Sequence, residues 1–396
     1  MAEGKANRQA DTREGENRMK ENLNLKVTPI SELTNLKVHG RTTGELAPLT
    51  LFWTGSMLEL NAKGSELWIE VESDYETYEP WINILINGAL VSRIMLTAGR
   101  YWVCVFRGMN PEKMKNIRIV KEVQAMSGDP DCLLQLHAVK SDGEFLPLED
   151  QPYKIEFVGD SLTSGEGLVG TVGEMDWIPM WFGTTQNYAV LTAQAINAEY
   201  RIVSQSGWGI LTGWDNNPHS NMPEYYEKIC GLVNGERNIA LGAHKEYDFS
   251  SWQPDFVVVN LGSNDTAAFY QPEWKDEATG ESHKQRCKED GGFHEEDLKA
   301  VEVAIVNFLF KLRYHNPKAH IIWAYGIAGI PMMPVIYRAF EEYQKNSCDT
   351  KVSIFQLPIV SDPEEEGSRF HPGVLAHERT AKQLTAYLKR ILEDVK

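Results

Sequence analysis

Hydrolysis of an ester by a nucleophilic side chain needs a hydroxyl, a base to take its proton, and donors for the oxyanion of the tetrahedral intermediate. Four residues of this chain offer those groups. Ser161 stands in Gly159-Asp160-Ser161-Leu162, directly after the β-branched and aromatic run 154–158. Such a run closed by glycine predicts a short buried strand. A serine just past its carboxyl end lies where open α/β sheets bind ligands. Gly207, in Ser-Gly-Trp-Gly at 206–209, follows a second such run, and a glycine there lets a backbone N–H approach a ligand closely. Asn264, in Gly-Ser-Asn-Asp at 262–265, follows a third and carries an amide donor. His371, in Ser-Arg-Phe-His-Pro at 368–372, precedes the last helical stretch and supplies a base. Each taken alone is also an ordinary turn or cap residue. In this order on successive strand ends, they predict one crevice that collects all four.

The elements that must position them are strands over 154–158, 200–205, 255–261, 319–325 and 351–356. Helices are expected near 186–197, 222–234, 295–314, 335–346 and 374–393. That alternation predicts a parallel sheet with helices on both faces, occupying 149–396. The segment 295–314 begins with Glu295, Glu296 and Asp297 and ends with Lys311 and Arg313, as a helix macrodipole favours. From 24 to 148 the texture is different: short apolar runs at 56–60, 66–71, 81–86, 100–106 and 116–120, punctuated by Gly64, Asn87-Gly88 and Gly99. Strands at this spacing without helices predict a β-sandwich or jelly roll, with Trp53, Trp68, Trp81 and Trp102 in its core. Residues 1–23 are charged and aperiodic and are expected to form a flexible arm.

Composition narrows the partners. A formal charge of −17 repels nucleic acid and anionic membranes, so neither is expected. Five scattered cysteines, odd in number, read as reduced thiols rather than a disulfide framework. The polar start carries no apolar leader and no run approaches a membrane span, so a cytoplasmic protein is expected. His283, Cys287 and His294 match no common zinc spacing, and neither metal nor cofactor is expected. Trp177, Trp181, Trp208 and Trp214 follow the serine and glycine blocks, and flat indoles suit the apolar faces of sugar rings. The polar stretch 269–297 is long for a loop and reads as a lid or a subunit contact, so a possible homo-oligomer stays open.

The blocks around Ser161, Gly207, Asn264 and His371 resemble those of the SGNH (GDSL) hydrolase superfamily. More narrowly, 80–88, 155–165 and 252–265 resemble carbohydrate esterase family 2, which joins a jelly roll to an SGNH domain. The resemblance implies an acetylxylan esterase acting on acetylated xylo-oligosaccharides or related sugars through a serine acyl-enzyme. Ser161 and His371 are then catalytic, and the N–H groups of Ser161 and Gly207 with the Asn264 amide form the oxyanion hole. A lipid or thioester hydrolase of the same superfamily, or a general short-chain esterase, is the alternative. Many superfamily members carry aspartate three residues before the histidine; here that residue is Ser368. A Ser161–His371 dyad is therefore expected, its imidazole oriented by a main-chain carbonyl rather than by Asp362, Glu364, Glu365 or Glu366.

Overall fold

A computed structural model describes residues 25–394, so the arm expected at 1–23 lies outside the described residues. Two antiparallel sheets come first. One pairs Leu133–Ser141 with Lys26–Pro29, Leu49–Thr50 and Glu66–Asp74, and Glu66–Asp74 with Gly99–Arg107. The other runs Phe145–Leu146, Met57–Ala62, Lys115–Lys121, Trp81–Ile86, Ala89–Met95, with Lys37–His39 beside Met57–Ala62. Their facing aliphatic residues, among them Leu58, Leu60, Ile69, Val71, Ile82 and Ile119, form one apolar core. The expectation for the tryptophans needs correction. Trp53 and Trp81 are buried, but Trp68 and Trp102 are only half-buried on an outer face, where the Lys140 ammonium lies over both rings at 4.9 and 4.7 Å.

The parallel sheet follows. Its strands are β1 (Tyr153–Gly159), β2 (Ala198–Ser204), β3 (Phe256–Asn260), β4 (His320–Tyr325) and β5 (Val352–Gln356), in spatial order β2-β1-β3-β4-β5. Among the described residues, the four helices of eight or more residues are α1 (Tyr188–Ala195), α2 (Glu295–His315), α3 (Met333–Ser347) and α4 (Val374–Asp394). Alternation along each strand explains the two layers. Val257, Val259, Ile321 and Trp323 point to α2 and α3, while Phe256, Val258, Ile322 and Ala324 point to α1 and α4. β2 and β3 lie on opposite sides of the starting strand β1, so the crossover direction reverses there and the ends of β1, β2 and β3 frame the ligand crevice.

The helix expected over 222–234 is confined to Met222–Tyr225. Beyond it the Ile229 and Cys230 N–H groups bond across to the carbonyls of Lys245 and Ala243, at 2.9 and 2.8 Å, instead of continuing the helical ladder. No helix among the described residues is long and apolar enough to cross a membrane.

The two parts share their cores. Phe52, Trp53 and Ala125 from the first part pack with the α2/α3 layer, and Met57, Leu85 and Val120 with the α1/α4 layer. Arg41, fully buried, reaches Glu156 in the middle of β1 at 2.9 and 3.2 Å and lies over the rings of Tyr226 and Tyr247. Tyr226 Oη donates to the other Glu156 oxygen at 2.6 Å. Every polar atom of the carboxylate is thereby met, which is the condition for burying it.

Candidate active site

Ser161 leaves β1 on a turn that only glycine permits: a Cβ on Gly159 would fall 2.0 Å from Thr163 Oγ1. Asp160 caps the one-turn helix Ser161–Ser164, its Oδ1 accepting the Leu162 N–H at 3.0 Å. Burial, with the charges of Asp265 and Glu166 adding to it, pushes the Asp160 carboxyl up to about 7.

His371 arrives on a loop that folds back on the serine turn. Ser368 N–H donates to Gly167 O at 2.9 Å, and the left-handed backbone of Arg369 and Phe370 (φ 55° and 58°) turns the chain toward Ser161. Such conformations in non-glycine residues cost free energy and need outside support. Arg369 has it: its N–H donates to Glu174 O at 2.9 Å, its Nη1 to Met175 O at 2.8 Å and its Nε to Glu166 Oε1 at 3.1 Å. The carbonyl of Arg369 then receives His371 Nδ1 at 2.9 Å, while Nε2 stands 2.9 Å from Ser161 Oγ. With Nδ1–H donating to a carbonyl, Nε2 is left as the acceptor for the serine hydroxyl. Two of the acidic residues upstream are engaged elsewhere: Asp362 caps the Glu364 N–H, and Glu365 pairs with Arg379 at 2.7 Å.

The second strand end delivers Gly207 with φ +81°. Its carbonyl takes the Trp214 N–H at 2.9 Å, and neither its own N–H nor that of Ser161 has a hydrogen-bond partner among the described residues. Three anchors fix this loop. Gln124, fully buried in the first part of the chain, accepts the Ser206 N–H at 2.8 Å. Asp265, also fully buried, accepts the N–H groups of Ile210 and Leu211 at 2.9 and 2.8 Å. Asn264 Nδ2 donates to Trp208 O at 2.9 Å, its second contact being a longer one to Asp160 Oδ2 at 3.3 Å. Burial raises the Asp265 carboxyl above the usual range even though the backbone donors pull it down.

Ser161, Gly207, Asn264 and His371 line a single cleft of about 420 Å³, and Trp177 and Trp214 form two of its walls. Trp214 is half exposed, while Trp177 is wedged edge-on between Tyr78 and Phe182, with centroids 4.8 and 5.9 Å away. Trp208 and Trp181 do not reach it. Trp208 turns away to pack on Tyr225 at 4.9 Å, because its own backbone is tied to Asn264 and Gln205. Trp181 lies behind the serine loop, half-buried against Gly170, with a buried Nε1 that has no partner among the described residues. Three residues that the sequence reading passed over complete the cleft: Glu166, Ser206 and Arg369. Each sits one to five residues from a predicted one, and a charged residue between two glycines, as in Gly165-Glu166-Gly167, was the available signal for the first.

The stretch 269–297 is tied to Asn216, and none of its residues lines the cleft. Asn216 Nδ2 donates to the carbonyls of Ala268 and Pro272, and its Oδ1 accepts the Gln285 N–H at 2.8 Å. Cys287 Sγ donates to Phe269 O, and no group of three His, Cys, Asp or Glu side chains among the described residues could hold a metal ion.

No protein-family model matches the chain. It is 25% identical over 352 residues to the cellulase/esterase CelE of Acetivibrio thermocellus, covering 86% of this chain but 37% of that protein, so it spans little more than a third of that relative's length. A family two carbohydrate esterase from Clostridium thermocellum, solved with cellohexaose, has the same fold at 23% identity, with a TM-score of 0.73 over 91% of this chain and 99% of the other. An acetyl xylan esterase, Est2A, from the rumen bacterium Butyrivibrio proteoclasticus is 44% identical, with a TM-score of 0.91 over 93% of this chain and 99% of that one. Identity of that order along nearly the whole of both chains reaches well past a common fold, and the chain belongs to carbohydrate esterase family 2.

Proposed function

We propose that the protein removes acetyl groups from acetylated xylo-oligosaccharides or related sugars, through an acyl-enzyme on Ser161. The observation that carries this is the 2.9 Å contact of Ser161 Oγ with a His371 Nε2 whose other nitrogen is already committed to Arg369 O. Ser161 Oγ attacks the acetyl carbonyl carbon as its proton passes to Nε2. The oxyanion is met by the free N–H groups of Ser161 and Gly207 and by Asn264, whose 3.3 Å contact to Asp160 is the one an incoming oxyanion displaces. Nε2 returns the proton to the sugar oxygen as the C–O bond breaks. Water then attacks the acetyl-serine by the same route and releases acetate. The expected location is cytoplasmic, supported by five cysteines that are all free thiols.

The cleft favours a sugar over a long acyl chain. Its walls are indoles set among the polar side chains of Glu166, Arg369, Ser206 and Asn264. The test is acetate release from acetylated xylan, run beside p-nitrophenyl acetate and a long-chain p-nitrophenyl ester. Release from xylan and turnover of the acetate ester alone is expected. Preference for the long-chain ester would overturn the reading in favour of a lipid hydrolase, and turnover of none would leave a sugar-binding protein.

A further inference from the structure

The reaction described above leaves the carboxylate of Glu166, which lines the same cleft, without a part. Glu166 is buried, its side chain 5% exposed, yet it faces the cleft. Its Oε1 accepts from Arg369 Nε at 3.1 Å, and its N–H donates to Ser161 O at 3.0 Å, so the residue is fixed at both ends. Its Oε2 receives no hydrogen bond among the described residues and stands 3.9 Å from His371 Nε2. A carboxylate oxygen only accepts, and this one faces the cleft with no donor from the described residues, so a group in the cleft must supply one. The site is therefore built for a donor that arrives with the substrate.

Where that donor must lie follows from the proton transfer. The leaving oxygen takes its proton from Nε2 and so sits within hydrogen-bond reach of that atom. The carbon bearing it, and the substituents of the next carbon, then pass Glu166 Oε2. A sugar places a hydroxyl there; an aryl or alkyl leaving group places none. We propose that Glu166 Oε2 accepts a hydrogen bond from a free hydroxyl on the carbon adjacent to the acetylated one, making Glu166 a specificity-determining residue. The preferred substrates are then partly acetylated sugars in which the ester is flanked by a free hydroxyl. Arg369 serves twice, through its carbonyl to His371 and through its guanidinium to Glu166. This inference rests on the acetyl-sugar reading above.

The test compares, with the wild-type protein, methyl 3-O-acetyl-β-xyloside and its analogue in which both hydroxyls next to the ester are replaced by hydrogen. A hydrogen bond to a charged acceptor corresponds to a kcat/KM about 10–100-fold lower for the analogue. Glu166→Gln puts an amide donor where the acceptor was, and the preference should shrink to about a tenth of its wild-type value or less. Equal rates on the two sugars with the wild-type protein would overturn the proposal, and need no variant to fold. A preference that survives unchanged in a folded Glu166→Gln protein would overturn it too, by showing that another group reads the hydroxyl. Turnover of p-nitrophenyl acetate with neither sugar accepted would instead strike the acetyl-sugar reading, and this proposal with it.

Discussion

At Nδ1 of His371 the acceptor is a carbonyl, which fixes the tautomer as a carboxylate would but contributes no charge to the imidazolium. Single amide substitutions at Asp362, Glu364, Glu365 and Glu366 should therefore leave turnover of p-nitrophenyl acetate within about threefold, whereas loss of a true triad acid costs about 10⁴. Ser161→Ala should abolish turnover with the melting temperature nearly unchanged. A collapse in any one of the four amide variants, approaching that of His371→Ala, would identify a triad acid. The tryptophans divide by position. Trp214→Ala should weaken turnover of acetylated xylo-oligosaccharide more than that of p-nitrophenyl acetate, while Trp208→Ala, which removes packing on Tyr225, should lower the melting temperature and affect both substrates alike. Ratios of kcat/KM on the two substrates, with calorimetry, decide this. That Ser161, Gly207, Asn264 and His371 gather in one cleft was legible because each follows a strand or precedes a helix in a recognisable block. Which way an indole turns was not, because adjacency to Gly207 does not say which side of the loop Trp208 takes.

Strand ends deliver the residues that gather in the cleft, but the loop carrying Gly207 is set by an element from the other part of the chain. The segment after Lys115–Lys121 is locked by the fully buried Lys121 ammonium, which donates to the carbonyls of Val123 and Gln124 at 2.6 and 3.0 Å. Gln124 then holds the Ser206 N–H, one residue from Gly207, the oxyanion donor of the proposed reaction. Gln124→Leu keeps the bulk but removes the acceptor. It should lower kcat on p-nitrophenyl acetate about tenfold with KM nearly constant, as expected when a donor shifts away from the transition-state oxyanion. Gln124→Glu, which keeps an acceptor there, should recover much of the loss. A change confined to KM would mean that Gln124 shapes the binding wall only. The five parallel strands could be read from their β-branched runs, and the sandwich from its spaced turns. This strap could not, since Gln124 and Ser206 are 82 residues apart and no local pattern couples them. The missing helix after Tyr225 has the same origin: its backbone donors go to residues 243 and 245.

Over the whole molecule, stability depends on groups buried where the two parts meet. Glu122 lies there against Thr185, whose N–H and hydroxyl it accepts at 3.2 and 3.3 Å, and burial raises its carboxyl to about 8. Below about 4.5, the ordinary carboxylate range, Glu122 is protonated whether the chain is folded or not. Between there and about 8 the folded form keeps a proton that the unfolded chain has lost, so stability falls as pH rises through that window. His377 acts in the opposite sense: buried and held down to about 3, it costs stability as pH falls below 6.5. Glu122→Gln removes the first slope, since an amide mimics the neutral acid and cannot ionise. Its stability relative to wild type should improve between pH 5 and 8 by about 1.4 kcal/mol per unit, measured by denaturant unfolding. Parallel curves for the two proteins would mean that Glu122 is ionised in the fold. None of this was legible in composition, because burial of Glu122 follows from how the sandwich seats on the sheet. The clamp of Arg41 on Glu156 has a further consequence for anyone recombining such proteins. The sandwich is not a cartridge to be exchanged for another domain: a graft without the arginine strands a charge inside the parallel sheet, and one without Gln124 leaves the Gly207 loop unmoored. Chimeras cut at the boundary should fail as enzymes even when both halves come from proteins that fold, unless the two contacts are transplanted with the seam.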